Sequence, residues 1–282
     1  MIRVIAQGGF GNQLFCFSFA HWLRKFTSEK IVITQIKKKN EPQRELSDIV
    51  CNCSHGIGLI HESWIHKTLK IRDKIESNLP NIGIDQILRL KNFSKISEYE
   101  IGEFNSRIYR GFYQNHELVE STFNHFESEI SIKIDENFEK AFAKIIAPSE
   151  KYICMHFRRG DYLLSKETFG ILNLDYYKNN LVDNLPLFIT TDDANYVNRL
   201  NEEFPAATII SPENFTLWES FSILCNASVL ITANSTFSWW AGKFVSARNG
   251  RVIAPKPWFK NESNINTKLE TKDFEYSKSL FE

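Results

Sequence analysis

From Tyr152 onward the chain repeats one pattern: a short apolar run, a polar cluster, then a stretch with helical spacing. Tyr152–Phe157 ends at Arg158 and Arg159, Pro186–Thr191 ends at Asp192 and Asp193, and Val229–Ala233 ends at Asn234, Ser235 and Thr236. Ala207–Ile210 and Arg251–Ala254 are two further strand-like runs, the last closed by Pro255, with Asp175–Val182, Asn195–Phe204 and Leu217–Asn226 as the helices between. Strands joined through single helices by short connections fold as right-handed βαβ units around a parallel sheet. Ligands of such sheets lie outside the carboxyl ends of the strands. The polar clusters fall there, and core packing alone does not require them.

The first half gives a weaker version of the same pattern. Ile2–Ala6 is a β-prone run followed by Gly8-Gly9-Phe10-Gly11 and then by Asn12–Lys25, whose apolar residues Leu14, Phe15, Phe17, Phe19 and Trp22 predict a helix. Lys30–Ile36 predicts a second strand. Lys37–Leu90 is polar and irregular, helical in places, with no element that can be bounded. Asn105–Gln114 predicts a strand running into a loop, and Glu127–Ala147 an amphipathic helix. For 282 residues two domains are the preferred division, 1–147 and 148–282.

Hydrophobic residues make up 43% and charged residues 24%, the composition of a globular chain with substantial cores. Lys+Arg and Asp+Glu balance at 34 each, which argues against a protein that coats nucleic acid through a broad basic surface. Any anion site must therefore be local. The N-terminus lacks the basic and apolar segments of a secretory signal, and no run reaches the length of a membrane span, so a cytoplasmic protein is expected. Its five cysteines, Cys16, Cys51, Cys53, Cys154 and Cys225, are expected to be reduced. Cys51 and Cys53, even with His55 and His61, do not match the ligand spacing of a zinc site, and no metal is expected.

Gly9-Phe10-Gly11 invites a dinucleotide-fold reading and fails it twice: the third glycine position is Leu14, and no acidic residue follows the second strand at Gln35 and Ile36 to hold a ribose. Two readings remain, a turn where backbone and the Asn12 amide approach a ligand, or glycines that let the helix pack on the strand. Arg158 and Arg159 offer guanidinium forks that match phosphate oxygens and stay charged at cellular pH; the competing reading is a surface ion pair with Asp161. Asn234-Ser235-Thr236 stands at a helix start, where hydroxyls cap free amides and exposed N–H groups bind anions. Asp192-Asp193 could hold Mg2+ beside a nucleotide diphosphate, accept from a guanine edge or a ribose, or simply begin a helix. Trp239 and Trp240 read as core.

Taken in order, "GGFGNQLFCFSFA" near the N-terminus, "GFYQN" at 111–115, "HFRRGDY" at 156, "DYY" at 175, "TDD" at 191, "NSTFSWW" at 234 and "VIAPKPWF" at 252 resemble the bacterial α-1,2-fucosyltransferases of glycosyltransferase family 11. The matches run from Gly8 to Phe259. Tyr113 stands where that family usually has tryptophan, and Thr191 where it has serine. The resemblance implies an α/β, GT-B-like architecture of two Rossmann-like domains facing across a cleft, the N-terminal one on the acceptor side and the C-terminal one binding GDP-fucose. It implies that Arg158 and Arg159 hold the diphosphate, that His156 and Asp192 or Asp193 meet the guanosine, and that Asn234, Ser235 and Thr236 add phosphate contacts, with Asp161 in the same donor loop. Asn12 would reach the reacting centre, with Gln13, Tyr113 and Gln114 on the acceptor side. Metal-independent, inverting transfer of fucose to the 2-hydroxyl of a β-galactoside is the implied reaction, without a cofactor. A galactose-terminated oligosaccharide, lipid-linked at the inner membrane face in O-antigen assembly, is the expected acceptor, met through peripheral membrane contact. The rival readings are another donor or linkage on the same scaffold, or a non-catalytic carbohydrate-binding relative.

Overall fold

The computed structural model describes residues 1–6, 8–35, 57–61, 63–78, 85, 90–92, 99, 106–145, 151–182, 184–261 and 267–282. The chain forms two compact units, Met1–Glu129 with Asn266–Leu269, and Ile130–Ile265 with Glu270–Glu282.

The first unit contains β1 (Ile2–Ala6), α1 (Phe10–Leu23), β2 (Ile31–Gln35), β3 (Ile57–His61), α2 (Ser63–Asn78), β4 (Leu90–Asn92), β5 (Ile108–Arg110) and α3 (His116–Glu120). Its five strands among the described residues are all parallel, in the order β3-β2-β1-β5-β4. In β1 Val4 and Ile5 are fully buried, as a strand covered on both faces requires. Helix α1 is apolar nearly all round because it is buried nearly all round: Leu14, Phe15, Cys16, Phe17, Phe19, Ala20 and Leu23 are wholly enclosed. Its one deep hydroxyl, Ser18 Oγ, pairs with Thr122 Oγ1 at 2.6 Å. The helix begins at Phe10 instead of Asn12, which puts Gly11 and Asn12 in its first turn. Strand β3 and helix α2 lie where the sequence allowed no placement. The run IGLIH is interrupted by Gly58, and α2 carries mostly polar residues around Leu69. Cys51, Cys53 and His55 lie outside the described residues.

The second unit holds most of α4 (Glu127–Phe142), then β6 (Ile153–Phe157), α5 (Lys166–Phe169), α6 (Leu174–Asn179), β7 (Leu187–Thr191), α7 (Val197–Glu203), β8 (Thr208–Ile210), α8 (Leu217–Cys225), β9 (Val229–Ile231), α9 (Thr236–Ala247), β10 (Arg251–Lys256) and β11 (Glu275–Lys278). The six strands among the described residues are all parallel, in the order β11-β10-β9-β6-β7-β8. Counted from β6, that is the 3-2-1-4-5-6 order of the dinucleotide-binding fold. The core joins Ile153, Met155, Phe157, Tyr176, Tyr177, Ile189, Leu200 and Ile231, with Trp239 and Trp240 also fully enclosed.

Three expectations are corrected in this unit. Strand β10 does not stop at Ala254 but runs through Pro255, because its pairing with β9 ends at Ile253 and only β11 lies alongside beyond that point; a residue without an N–H is tolerated there. The last strand is β11, whose sequence EYSK is too polar to announce an edge strand. Helix α6 also ends at Asn179, short of Val182, where the Asn180 side chain turns back to the Tyr176 carbonyl at 2.7 Å.

Candidate active site

In the second unit the strand order reverses between β6 and β9, and ligands of open α/β sheets bind at such a switch point. Strand β6 ends in His156 and Phe157 and continues into Arg158, Arg159 and Gly160; β9 leads into Asn234, Ser235 and Thr236; and β7, the other neighbour of β6, leads into Asp192 and Asp193. The fold thus brings the three polar clusters to one edge of the sheet, and hydrogen bonds join them.

Asp192 is the hub. Its Oδ1 accepts from the backbone N–H of Arg159 at 2.8 Å and of Gly160 at 3.1 Å, while its Oδ2 pairs with Arg158 Nη1 at 2.6 Å. One carboxylate therefore sets both the path of the arginine loop and the direction of Arg158. A Cβ on Gly160 would stand 2.6 Å from Asp192 Oδ2, so this close approach needs glycine. Arg158 also pairs with Asp161, and its guanidinium lies 5.2 Å from the centre of the Tyr162 ring. The Tyr162 hydroxyl donates to the Asn234 carbonyl at 2.9 Å, and Asn234 Nδ2 donates to the carbonyls of Phe169 at 2.9 Å and Gly170 at 3.2 Å. The arginine loop and the start of α9 are held together in this way.

The two arginines differ. Arg158 keeps 26% of its side chain exposed, whereas Arg159 keeps 12% and is braced on all sides: over the Tyr196 ring at 3.8 Å, against Asp193 at 3.5 Å, and in an ion pair with Glu282. Asp193 also caps the following turn, accepting from Asn195 N at 3.1 Å. Ser235 is the N-cap of α9, with its Oγ accepting from Phe237 N at 3.3 Å, which leaves the first-turn amides of a twelve-residue helix at the edge of the site. His156 is 3% exposed; burial, with the Arg158 charge second, lowers its pKa to about 3, so the ring is neutral. Its Nδ1 is buried without a hydrogen-bond partner.

In the first unit the switch point lies between β1 and β5. There the turn Gly8–Gly11 and the segment Gly111–Gln114 stand side by side, and Gln114 Nε2 donates to Asn12 Oδ1 at 2.9 Å. Gln13 is engaged at both ends of its amide, accepting from Gln35 Nε2 at 3.0 Å and donating to the Gly8 carbonyl at 3.2 Å. Tyr113 is placed in the core, fully buried at φ +56° and stacked on Phe19 with ring centres 4.0 Å apart. Asn12, partly exposed, is the one of these four that reaches the surface.

The sequence missed Tyr196 and Glu282 as partners of Arg159. Tyr196 stands three residues after Asp193, within reach of inspection, but Glu282 lies 123 residues from Arg159 and carried no local signal. Among the described residues no cluster of three or more His, Cys, Asp or Glu side chains is poised to hold a metal, and no helix is long and apolar enough to cross a membrane. Cys154 and Cys225 are buried thiols, and burial pushes both pKa values up.

A family model, Glycosyl transferase family 11, matches residues 1–277. The chain belongs to glycosyl transferase family 11. Among curated proteins it is 25% identical to an alpha-1,2-colitosyltransferase of Escherichia coli over 93% of this chain and 94% of the relative. It is 22% identical to the O-antigen biosynthesis glycosyltransferase WbnK, also of Escherichia coli, over 42% of each. Among solved structures, the NodZ alpha-1,6-fucosyltransferase soaked with GDP-fucose matches with a TM-score of 0.49 and 16% identity, over 91% of this chain and 95% of that one. In this family 11 chain, Arg158 and Arg159 follow β6 at the switch point of a six-stranded parallel sheet.

Proposed function

We propose that this glycosyltransferase moves fucose from GDP-fucose to the 2-hydroxyl of a β-galactoside, with inversion and without a metal, in the synthesis of a surface polysaccharide such as O-antigen. The observation that carries the proposal is Arg158, partly exposed and aimed by Asp192, on the loop that Tyr162 ties to the start of α9. Cleaving the bond between the anomeric carbon and a diphosphate builds negative charge on the phosphate oxygens while the sugar becomes oxocarbenium-like. Fixed positive groups aimed at that charge lower the barrier. Arg158 does this directly, and the first-turn amides of α9 add to it. His156, neutral, is suited to a base or ribose edge and not to a phosphate. Arg159, enclosed by Tyr196, Asp193 and Glu282, keeps the loop's charge in place from behind. Asn12 serves the acceptor side, and a lipid-linked galactose-terminated oligosaccharide, met by peripheral contact at the inner membrane, is the acceptor.

The relative named for colitosyl transfer supports a second reading, in which the α-1,2 linkage is kept and the donor sugar is colitose. Turnover of GDP-fucose and of the colitosyl donor, each with lactose in EDTA, separates the two. Preference for GDP-fucose sustains the proposal; preference for the colitosyl donor replaces it with the second reading. GDP binding without transfer from either donor would make the chain a binding protein.

A further inference from the structure

We propose that Gln114 is a positioning residue that locks the Asn12 amide in one polarity, so that the first unit presents a hydrogen-bond donor, Asn12 Nδ2, to a substrate oxygen. The substrate class, an acceptor sugar, rests on the function proposed above; the lock itself does not.

The placement comes first. Asn12 is in the first turn of α1 and Gln114 follows β5, so the bond between them bridges the switch point of the first sheet, where a ligand of that sheet would lie. The bond itself is directional. Gln114 is 4% exposed and donates through Nε2 to Asn12 Oδ1 at 2.9 Å, the only hydrogen bond of its side chain among the described residues. Its own Oε1 is buried with no partner. Buried polar atoms are nearly always paired, so an orphaned carbonyl marks a side chain oriented by something other than its own satisfaction. Here that is donation to Asn12.

With Oδ1 engaged, only the NH2 of Asn12 is left to meet a ligand, and it makes no hydrogen bond among the described residues. Gly8 makes room for it: at φ +69°, a Cβ on Gly8 would stand 2.2 Å from Asn12 Nδ2. The Gln114 backbone is pinned as well, its carbonyl accepting from Lys268 N at 3.2 Å. A primary amide does not titrate in the working range and cannot be the base for the acceptor hydroxyl. Its work is to hold an oxygen lone pair, which orients the hydroxyl and leaves the proton to another group.

The lock predicts an unusual phenotype. In Gln114→Glu an ionised carboxylate can only accept, so the Asn12 amide turns its NH2 inward and shows Oδ1 to the substrate. A protonated carboxyl donates and restores the wild-type polarity. Burial raises a carboxyl pKa, so the switch falls within an accessible range. Among titratable groups nearby, burial lifts Tyr109 to about 12 and holds Tyr113 well above the ordinary tyrosine value, and Cys16, His116 and Lys268 are common to variant and wild type.

The kcat/KM for fucosyl transfer to lactose is measured for Gln114→Glu and wild type from pH 8 to 5.5. The variant-to-wild-type ratio is expected to be about 10- to 100-fold below unity at pH 8 and to climb as pH falls, and Gln114→Met is expected to lose a similar factor at every pH. A ratio independent of pH in a variant that melts like wild type overturns the lock, as does full activity of Gln114→Met. The side-chain amide of Asn12, followed by 15N NMR in the same proteins without substrate, keeps the test independent of turnover. Its resonance should titrate in Gln114→Glu and not in wild type; an Asn12 signal unmoved by pH in Gln114→Glu refutes the lock even if the protein transfers another sugar, and a titrating one sustains it even if no fucose is transferred.

Discussion

Gly160→Ala is a one-carbon change whose effect can be worked from distances. The added methyl would sit 2.6 Å from Asp192 Oδ2 and 3.1 Å from its Cγ, so the carboxylate must retreat. Retreat breaks the bonds from the N–H groups of Arg159 and Gly160, at 2.8 and 3.1 Å, and loosens the Arg158 pair. Hydrogen bonds to a charged group contribute about 1.5–3 kcal/mol each. Asp192 is a quarter exposed and water replaces part of what is lost, so the lower end applies and the loop should lose about 2 kcal/mol of order. If binding must restore that order, GDP affinity falls about 30-fold. Calorimetric titration of GDP with thermal melting of the same samples reads both sides. The expected result is that drop with a melting midpoint lowered by only a few degrees, on the order set by the loop alone. In an Asp192→Ala background the same methyl should cost little more, since the two changes act on one contact. Wild-type affinity in Gly160→Ala, with unchanged melting, would refute the claim that Asp192 organises the arginine loop.

Arg158→Ala should reduce turnover about 100- to 1000-fold, the effect of losing one preorganised donor, and near-normal turnover of the folded variant would remove Arg158 from the leaving-group site. Ser235→Ala with Thr236→Ala should weaken GDP far less, since the α9 amides remain; GDP affinity unchanged within error in the double variant would count against a phosphate site there. His156 makes a prediction for pH: its folded pKa, about 3, lies below the unfolded 6.5, so the unfolded chain gains the proton first and stability falls as pH drops below 6.5. Between pH 6.5 and 5 that amounts to about 2 kcal/mol, visible in urea unfolding as a loss that His156→Phe escapes; equal losses in both proteins would show that the ring is not held neutral.

The second unit was readable because its strands are apolar on both faces and end abruptly. Ile153–Phe157 and Leu187–Thr191 differ from the sequence expectation by a single residue at the start. What local pattern could not show was β11, polar along its length and ordered only by pairing with β10, and β3, whose apolar run is interrupted by Gly58. The site divides the same way. Arg158, Asp192 and Ser235 were legible because each closes a strand or opens a helix, and the bland alternatives are also true in part: Arg158 does pair with Asp161, and Ser235 does cap α9. Their mutual contacts were not legible, because they depend on β7 and β9 flanking β6. Tyr113 shows the opposite failure. Its motif pointed to a ligand contact, yet its φ of +56° turns the ring into the core against Phe19, and Gln114 takes the place beside Asn12.

The most direct test of the proposed reaction is the product of GDP-fucose and lactose in EDTA, with the linkage and anomeric configuration read by NMR. A fucose α-linked to the galactose 2-hydroxyl, formed at full rate without metal, is the predicted result. A different linkage, retention of the donor's anomeric configuration, or a rate restored only by added Mg2+ would contradict an arginine-centred, metal-free, inverting transfer.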